Sequence, residues 1–231
     1  MKRVNWVGML PFYLLTVILC IAVAGWGSDA VTTAVQTSPL ERERTFIIDA
    51  GHGGIDGGAT SCTGVLESAI NLEIALRLND LMRFLGYDTV MIRTTDTSIY
   101  TEGNTIASQK VSDLKERVRI VNETENAILI SIHQNTFSDS RYYGAQVFYA
   151  DTEGSQALAK QLQAALCPAR QIKRGNSIYL LQNIDTTGVL IECGFLSNHE
   201  EEAKLRDPGY QQRLCGMIVS SLSVFLKTEG S

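Results

Sequence analysis

The amino-acid sequence predicts a three-layer α/β domain, in which one β-sheet lies between layers of helices. Six short apolar runs with strand character alternate with segments in which apolar residues recur at helical spacing. About 185 residues follow the N-terminal segments, which is enough for one domain with a complete hydrophobic core. The sequence contains no internal repeat and no appended binding module.

The N-terminal part of the chain is not typical of a globular domain. After Lys2 and Arg3, residues 7–26 are almost entirely apolar and uncharged, which is long enough to cross a bilayer as a helix. This length favours an uncleaved anchor over a cleaved signal peptide. Because the positive residues precede the apolar run, the rest of the chain is expected to be exported. The predicted division is a signal peptide or anchor over 1–27, a linker over 28–44 and the folded domain over 45–227.

Six strands are predicted from apolar and β-branched runs that are bounded by turn residues. The run over 127–132 is the most apolar, as expected of a strand that is buried on both faces. The six predicted strands cover 45–50, 88–93, 127–132, 144–150, 178–182 and 188–193.

Four helices are predicted between and after these strands. Gly86 can end the first of them in a left-handed conformation, and Asn198 can cap a short acidic turn before the last. The predicted helices are 68–85, a segment with Val111, Leu114, Val118 and Val121 on one apolar face, 156–166, and a last helix that opens with Asp207 and Pro208.

Composition limits the classes of partner. The net charge is −5, from 20 basic and 25 acidic residues without a basic cluster, so nucleic acid is not expected as a partner. Four of the five cysteines lie after the apolar run, and they have neither zinc-ribbon spacing nor a dense disulfide pattern. They are interpreted mainly as small buried side chains, although an exported chain could pair some of them. These four are Cys62, Cys167, Cys193 and Cys215.

Four short segments contain side chains that can bind or assist a metal ion. In three of them an apolar run ends in the functional residue, and ligands of open α/β sheets gather at the carboxyl ends of strands. The segments are FIIDAGHGG with His52, GVLE with Glu67, ISIHQN with His133 and Asn135, and VLIECGF with Glu192. The simplest interpretation is one zinc ion bound by His52, Glu67 and His133, with Glu192 beside it.

This residue set matches the needs of zinc hydrolysis. Two histidines and one carboxylate leave a fourth coordination position open, as catalytic zinc sites require. Glu192 ends an apolar strand, where an unpaired carboxylate is costly, so it needs a metal, a function or an arginine such as Arg93 or Arg117. A glutamate beside the metal can move a proton from water to a leaving amine.

Other polar residues near these segments have more than one interpretation. Asn135 could bind the substrate or fix the loop after His133. Asp49 could orient His52 or simply end its strand. His199 is expected on the solvated surface, and Cys193 is expected to point away from Glu192 across the strand.

Taken together, the four segments resemble the zinc-dependent N-acetylmuramoyl-L-alanine amidases of the Amidase_3 family. That pattern is a Gly-His-Gly-Gly loop, Gly-x-x-Glu, Ser-Ile-His-x-Asn and Glu-x-Gly-Phe-x-Ser-Asn, and the resemblance covers about 45–226. It implies a twisted mixed sheet with helices on both faces, zinc ligands at His52, Glu67 and His133, and catalysis by Glu192. The implied substrate is peptidoglycan, cut between N-acetylmuramic acid and L-alanine.

The layout is most similar to the germination-type members of this family from spore-forming bacteria. The similarity rests on one N-terminal apolar segment, a single domain, and the stretch over 104–122. It implies a role in spore cortex maturation, an accessory lipoprotein and a downstream deacetylase, with the N-terminal segment at the membrane. Two other functions stay open: a zinc peptidase that cuts within the stem peptide, and a catalytically silent wall-binding module.

Overall fold

A six-stranded mixed sheet forms the centre of the molecule. A computed structural model describes residues 44–229. The strand order is β2-β1-β3-β6-β4-β5, with β4 antiparallel to β6 and the other neighbouring pairs parallel. The strands are β1 (Thr45–Ala50), β2 (Asp88–Met91), β3 (Ala127–Asn135), β4 (Gln146–Tyr149), β5 (Lys173–Arg174) and β6 (Thr187–Phe195). This arrangement confirms the predicted α/β fold class.

Six helices cover the two faces of the sheet in the described part of the chain. Their bounds are α1 (Glu67–Phe84), α2 (Ile106–Glu123), α3 (Ser155–Leu166), α4 (Tyr179–Asn183), α5 (His199–Leu205) and α6 (Pro208–Glu229). The alternating side chains of β1 illustrate the layers. Phe46 and Ile48 pack into the cluster that contains buried residues of α1, α3 and α6, while Ile47 packs into the cluster with α2 and α4. The core therefore lies on both sides of the sheet, as predicted.

Two strand assignments differ from the sequence prediction. Residues 178–182 were expected to form a strand, but the chain forms helix α4 there, with Leu180 and Leu181 both buried. A short apolar run does not reveal its period, because a strand and a buried helical turn have the same composition. The strand β5 was not predicted, because its two residues are charged and exposed at the edge of the sheet.

The buried face of α2 was predicted only in part. Val121 is fully buried, but Val111 is 50% exposed and Leu114 is 37% exposed. Arg117 takes the inward position instead, because its guanidinium pairs with the buried Asp49 of β1. The helix also begins earlier than expected, since Thr105 and Ser108 form a capping box at its N-terminus.

The N-terminal prediction lies outside the described residues. Between residues 44 and 229, no helix is both long and apolar enough to cross a bilayer. The apolar segment over 7–26 precedes this range, so its assignment as an anchor or signal peptide stays a prediction.

The cysteines within the described range are all free thiols. Cys193 and Cys215 are 1% exposed, and burial raises the pKa of Cys193 and raises that of Cys215 to about 12. Cys62 is exposed.

We expect iodoacetamide to label Cys62 in the native protein and to label Cys193 and Cys215 only after denaturation, because the thiolate is the reactive form. Mass spectrometry of the tryptic peptides measures this, and equal labelling of Cys62 and Cys193 in the native protein would contradict it.

Candidate metal centre

The ends of β3 and β6 bring two of the predicted site residues together. His133 and Glu192 are paired in register on these parallel neighbours, so their side chains lie next to each other on one face of the sheet. Cys193 belongs to the hydrophobic cluster on the opposite face, as predicted. The pairing register shifts just after His133, and the two strands pair again at Asn135 and Phe195.

His52 lies in the glycine-rich loop that follows β1. Its φ is +60°, in the left-handed region, and the two glycines that follow it also have positive φ values. A residue other than glycine keeps such a conformation only where its surroundings impose it. Here Arg117 of α2 donates a 2.8 Å hydrogen bond to the carbonyl oxygen of His52.

Glu67, the first residue of α1, lies between the two histidines. Its Oε1 is 3.0 Å from Nδ1 of His133, and its Oε2 is 3.4 Å from Nε2 of His52. The backbone N–H of Gln134 donates to Oε1 over 3.1 Å, and that of Ala59 donates to Oε2 over 2.9 Å. Backbone donors therefore fix both carboxylate oxygens. They also replace the water that Glu67 lacks, since the residue is only 4% exposed.

The three side chains fit a bound cation. One ligand atom from each of His52, Glu67 and His133 can be chosen so that all three lie within 4.8 Å of one another. Two imidazole nitrogens and a carboxylate oxygen are a typical donor set for catalytic zinc. The structure thus assembles in one place three residues that are 81 positions apart at most, counted from 52 to 133.

The protonation of the metal-free cluster also reflects this closeness. Burial by itself would lower the pKa of His52, but its contacts with Glu67 and Asp56 outweigh burial and raise the pKa to about 9. Burial would raise the pKa of Glu67, but hydrogen bonds from His133 and His52 hold it far below its usual range. The surroundings of His52 thus favour a positive charge at this position, which a bound cation would supply in place of a proton.

Glu192 has a carboxylate oxygen without a partner. Its Oε2 is buried and makes no hydrogen bond in the described part of the chain. Burial, together with the negative charge of Glu67, raises the pKa of Glu192 to about 7. The proposed arginine partners are engaged elsewhere, since Arg93 donates to four carbonyl oxygens and Arg117 pairs with Asp49 and Asp113. Glu192 as a whole is half-buried, but a buried oxygen atom without a partner is costly for the fold, which indicates a function.

The structure also gives the positions of the other polar residues that the sequence analysis considered near the site. Asp49 does not reach the ring of His52, because it pairs with Arg117 and accepts a 2.6 Å hydrogen bond from Ser131. Asp49 is the last residue but one of β1, and Arg117 links it to the backbone carbonyl of His52 rather than to the ring. His199 is exposed and lies 3.3 Å from the thiol of Cys62, as expected of a surface histidine. Asn135 is half-buried beside the site, and its carbonyl oxygen accepts from Leu196.

Sequence reasoning missed several residues that support the cluster. Asn71 donates to Glu67 over 3.2 Å and to Gly51, and it accepts from the side chain of Gln134. Asp56 lies 2.9 Å from Nδ1 of His52. The spacing of Glu67 and Asn71 along one helix, four residues, was the available signal, because such residues lie on the same face.

Two glycines leave the space that the ligands occupy. A Cβ atom on Gly51 would lie 2.1 Å from Nε2 of His133. A Cβ atom on Gly58 would lie 2.6 Å from Oε2 of Glu67 and 2.8 Å from the ring of His52. These positions form a cradle that only glycine allows, since the imidazoles could not keep their places beside a larger residue.

We expect Gly51→Ala to weaken zinc affinity by at least about 10-fold, as losses of ligand support do. The new methyl group displaces the ring of His133 from Glu67. The matched control is Gly216→Ala in α6, where a Cβ atom meets nothing within 4 Å. That change should preserve zinc affinity and slightly stabilise the helix. Chelator competition measures the affinities, and an unchanged value for Gly51→Ala would contradict the cradle.

The fold and the site together define a class of protein: a three-layer α/β domain with a candidate metal centre at the carboxyl edge of its sheet. The family model described as N-acetylmuramoyl-L-alanine amidase, Amidase_3, matches residues 46–223. In an alignment of 236 residues with gaps included, the chain is 33% identical to the germination-specific N-acetylmuramoyl-L-alanine amidase of Bacillus subtilis (strain 168). That alignment covers 99% of this chain and 98% of the relative.

Solved structures agree with this assignment. The CwlD amidase from Clostridioides difficile, in complex with the GerS lipoprotein, superposes with a TM-score of 0.76 at 37% identity, covering 80% of this chain and 99% of that one. The N-acetylmuramoyl-L-alanine amidase from Clostridium difficile 630 gives a TM-score of 0.71 at 31% identity, covering 80% and 98%. The chain belongs to the Amidase_3 family of N-acetylmuramoyl-L-alanine amidases, and it is an enzyme that acts on peptidoglycan. The resemblance inferred from the four segments is thereby confirmed.

Proposed function

We propose that this chain uses zinc to hydrolyse the amide bond between N-acetylmuramic acid and L-alanine, and so removes stem peptides during spore cortex maturation. One observation carries the chemistry: the unpartnered, buried Oε2 of Glu192 lies on the sheet face of His133, next to the His-Glu-His cluster. The catalytic domain corresponds to 45–227, preceded by a linker over 28–44.

The residues of the site have two different roles, metal binding and proton transfer. His52, Glu67 and His133 would hold the ion, which when bound polarises the scissile carbonyl and lowers the pKa of water. Glu192 accepts the proton of the attacking water and donates it to the leaving nitrogen of L-alanine. A pKa raised to about 7 suits both halves of this transfer, because a base must also act as an acid near neutral pH.

Asn135 is proposed to bind the substrate. It follows His133 by two residues, at the point where the pairing of β3 and β6 shifts. Its backbone is fixed by the hydrogen bond from Leu196, while none of the hydrogen bonds among residues 44–229 uses its side-chain amide. This amide can therefore donate to a carbonyl group of the stem peptide or of the N-acetyl group.

The biological setting is proposed from the relatives. The Bacillus subtilis relative is named as germination-specific, and the Clostridioides difficile neighbour is in complex with a lipoprotein. We infer that this chain acts outside the cytoplasm, anchored to the membrane by its N-terminal segment or secreted, with an accessory lipoprotein as partner. A deacetylase that acts on the stripped muramic acid would follow it.

The reaction can be tested with the full-length chain in detergent, purified peptidoglycan and added zinc, with Glu192→Gln as the control. We expect mass spectrometry to find free stem peptides that begin at L-alanine, and we expect them to be absent from the control. Glycan-linked fragments of the stem peptide would instead identify a peptidase. If no product forms while zinc is bound, repeating the reaction with the accessory lipoprotein separates a partner-dependent enzyme from a silent wall-binding module.

A further inference from the structure

The ring of His52 is fixed from the side opposite to Glu67. Its Nε2 faces Oε2 of Glu67 at 3.4 Å, while its Nδ1 lies 2.9 Å from Oδ2 of Asp56. When the imidazole is neutral, a hydrogen bond from Nδ1 to this carboxylate leaves the lone pair of Nε2 for a cation. Asp56 therefore selects both the orientation and the tautomer of His52.

Asp56 is held in turn by Lys110 of helix α2. The Nζ atom of Lys110 lies 2.7 Å from Oδ1 of Asp56, and the backbone N–H of Gly58 donates to the same oxygen over 3.3 Å. The side chains of Lys110 and Asp56 are 45% and 26% exposed. An ion pair this open to water contributes little to the stability of the fold. Its effect is therefore expected on the group that it orients.

Helix α2 contacts the same loop a second time, at the backbone. Arg117 follows Lys110 by seven residues, which places both on nearly the same side of the helix. Its guanidinium donates to the carbonyl oxygens of His52 and Ala50 over 2.8 and 3.1 Å. Arg117 thus supports the strained backbone of His52, while Lys110 and Asp56 act on the ring.

We propose that Lys110 and Asp56 are positioning residues for the metal site, which hold His52 with Nε2 turned towards Glu67. The proposal rests on the zinc-dependent function proposed above. Among residues 44–229, the ion pair of Lys110 is with Asp56 and not with Glu67 or Glu192. Lys110 therefore acts through Asp56, and helix α2 becomes part of the metal site without supplying a ligand.

The test is the zinc affinity of the full-length chain in detergent, measured by competition with a chromophoric chelator. We expect Lys110→Met to weaken zinc binding by about 10-fold and Asp56→Asn by about 10- to 100-fold, the range for residues that orient metal ligands. Lys110→Arg keeps the cation beside Asp56 and should restore most of the affinity. The matched control is Lys115→Met, an exposed lysine on the same helix, which should leave the affinity unchanged.

A double-mutant cycle identifies the route of the effect. If Lys110 acts through Asp56, adding Lys110→Met to Asp56→Asn changes the affinity by less than about threefold, because coupled residues are not additive. Nitrogen-15 shifts of the His52 ring in zinc-loaded protein should also broaden or move in Lys110→Met and not in Lys115→Met. A folding defect alone would not produce this pattern.

Two results would overturn the proposal: equal affinities for Lys110→Met and Lys115→Met, or fully additive effects in the cycle. A wild-type chain that binds no zinc would overturn both this proposal and the zinc-dependent function. A chain that binds zinc with the expected cycle but releases no stem peptides would leave the positioning role intact and would contradict only the proposed reaction.

Discussion

Replacing either His52 or His133 by alanine is expected to abolish stoichiometric zinc binding. Catalytic zinc sites use three protein ligands, and each variant leaves two. The structure explains why neither histidine can compensate for the other: His133 faces Oε1 of Glu67, and His52 faces Oε2. Loss of one ring therefore leaves one carboxylate oxygen without its neighbour and one side of the cluster open.

Metal analysis after dialysis against a weak chelator measures this effect directly. The third histidine provides the control, because His199 is exposed and contacts Cys62 rather than the cluster. The variant His199→Ala should keep one zinc per chain. A His52→Ala or His133→Ala protein that also kept one zinc per chain would show that the ligands are assigned incorrectly.

The strands that carry the site were predictable because their signals are local. β1, β3 and β6 are apolar runs, and each leads directly to a polar residue at its carboxyl end. Parallel strands place such ends at one edge of the sheet. Residue spacing could therefore indicate that His52, His133 and Glu192 share an edge. It could not give the register that pairs His133 with Glu192, because register depends on hydrogen bonds between distant segments.

Helix α2 shows where sequence reasoning stops. An apolar periodicity predicted Val111 and Leu114 at the buried face, yet the helix turns Arg117 inward. The reason is Asp49, which lies 68 residues earlier in the chain and is buried at the end of β1. A buried charge is acceptable only when a partner is in place. No local pattern in the sequence of α2 indicates that Arg117 has a partner on strand β1.

Asp56 was missed for a related reason. Its sequence context, a glycine-rich loop four residues after His52, is typical of a turn, where aspartate is common. Only the left-handed backbone of His52 and the approach of Lys110 give this carboxylate its place beside the ring. Loop conformation, rather than residue type, determines its role.

Replacing Glu192 by glutamine is expected to preserve zinc and to lower turnover by at least about 100-fold, the low end for a lost general acid–base group. Glutamine has nearly the same shape but cannot accept the proton of the attacking water. Glu192 is not among the three residues that cluster around the metal position, so the metal content should not change. Turnover close to that of the wild-type chain would remove Glu192 from the mechanism.

The pH dependence separates this chemical role from a structural one. The pKa of Glu192, raised to about 7, makes the carboxylate the minor form below that pH, so kcat/KM of the wild-type enzyme should fall as the pH falls. A bound cation stabilises the carboxylate and moves this limb to lower pH, so zinc occupancy must be held constant over the range. The Gln variant should lack this acidic limb of the pH profile.

A raised carboxyl pKa also costs stability as the pH rises through it, so the metal-free Gln variant should melt at a higher temperature than the metal-free wild type at pH 8. A variant that lost both activity and stability would indicate damage to the fold, whereas lost activity with gained stability is the result expected of a catalytic base with a buried, unpartnered oxygen atom.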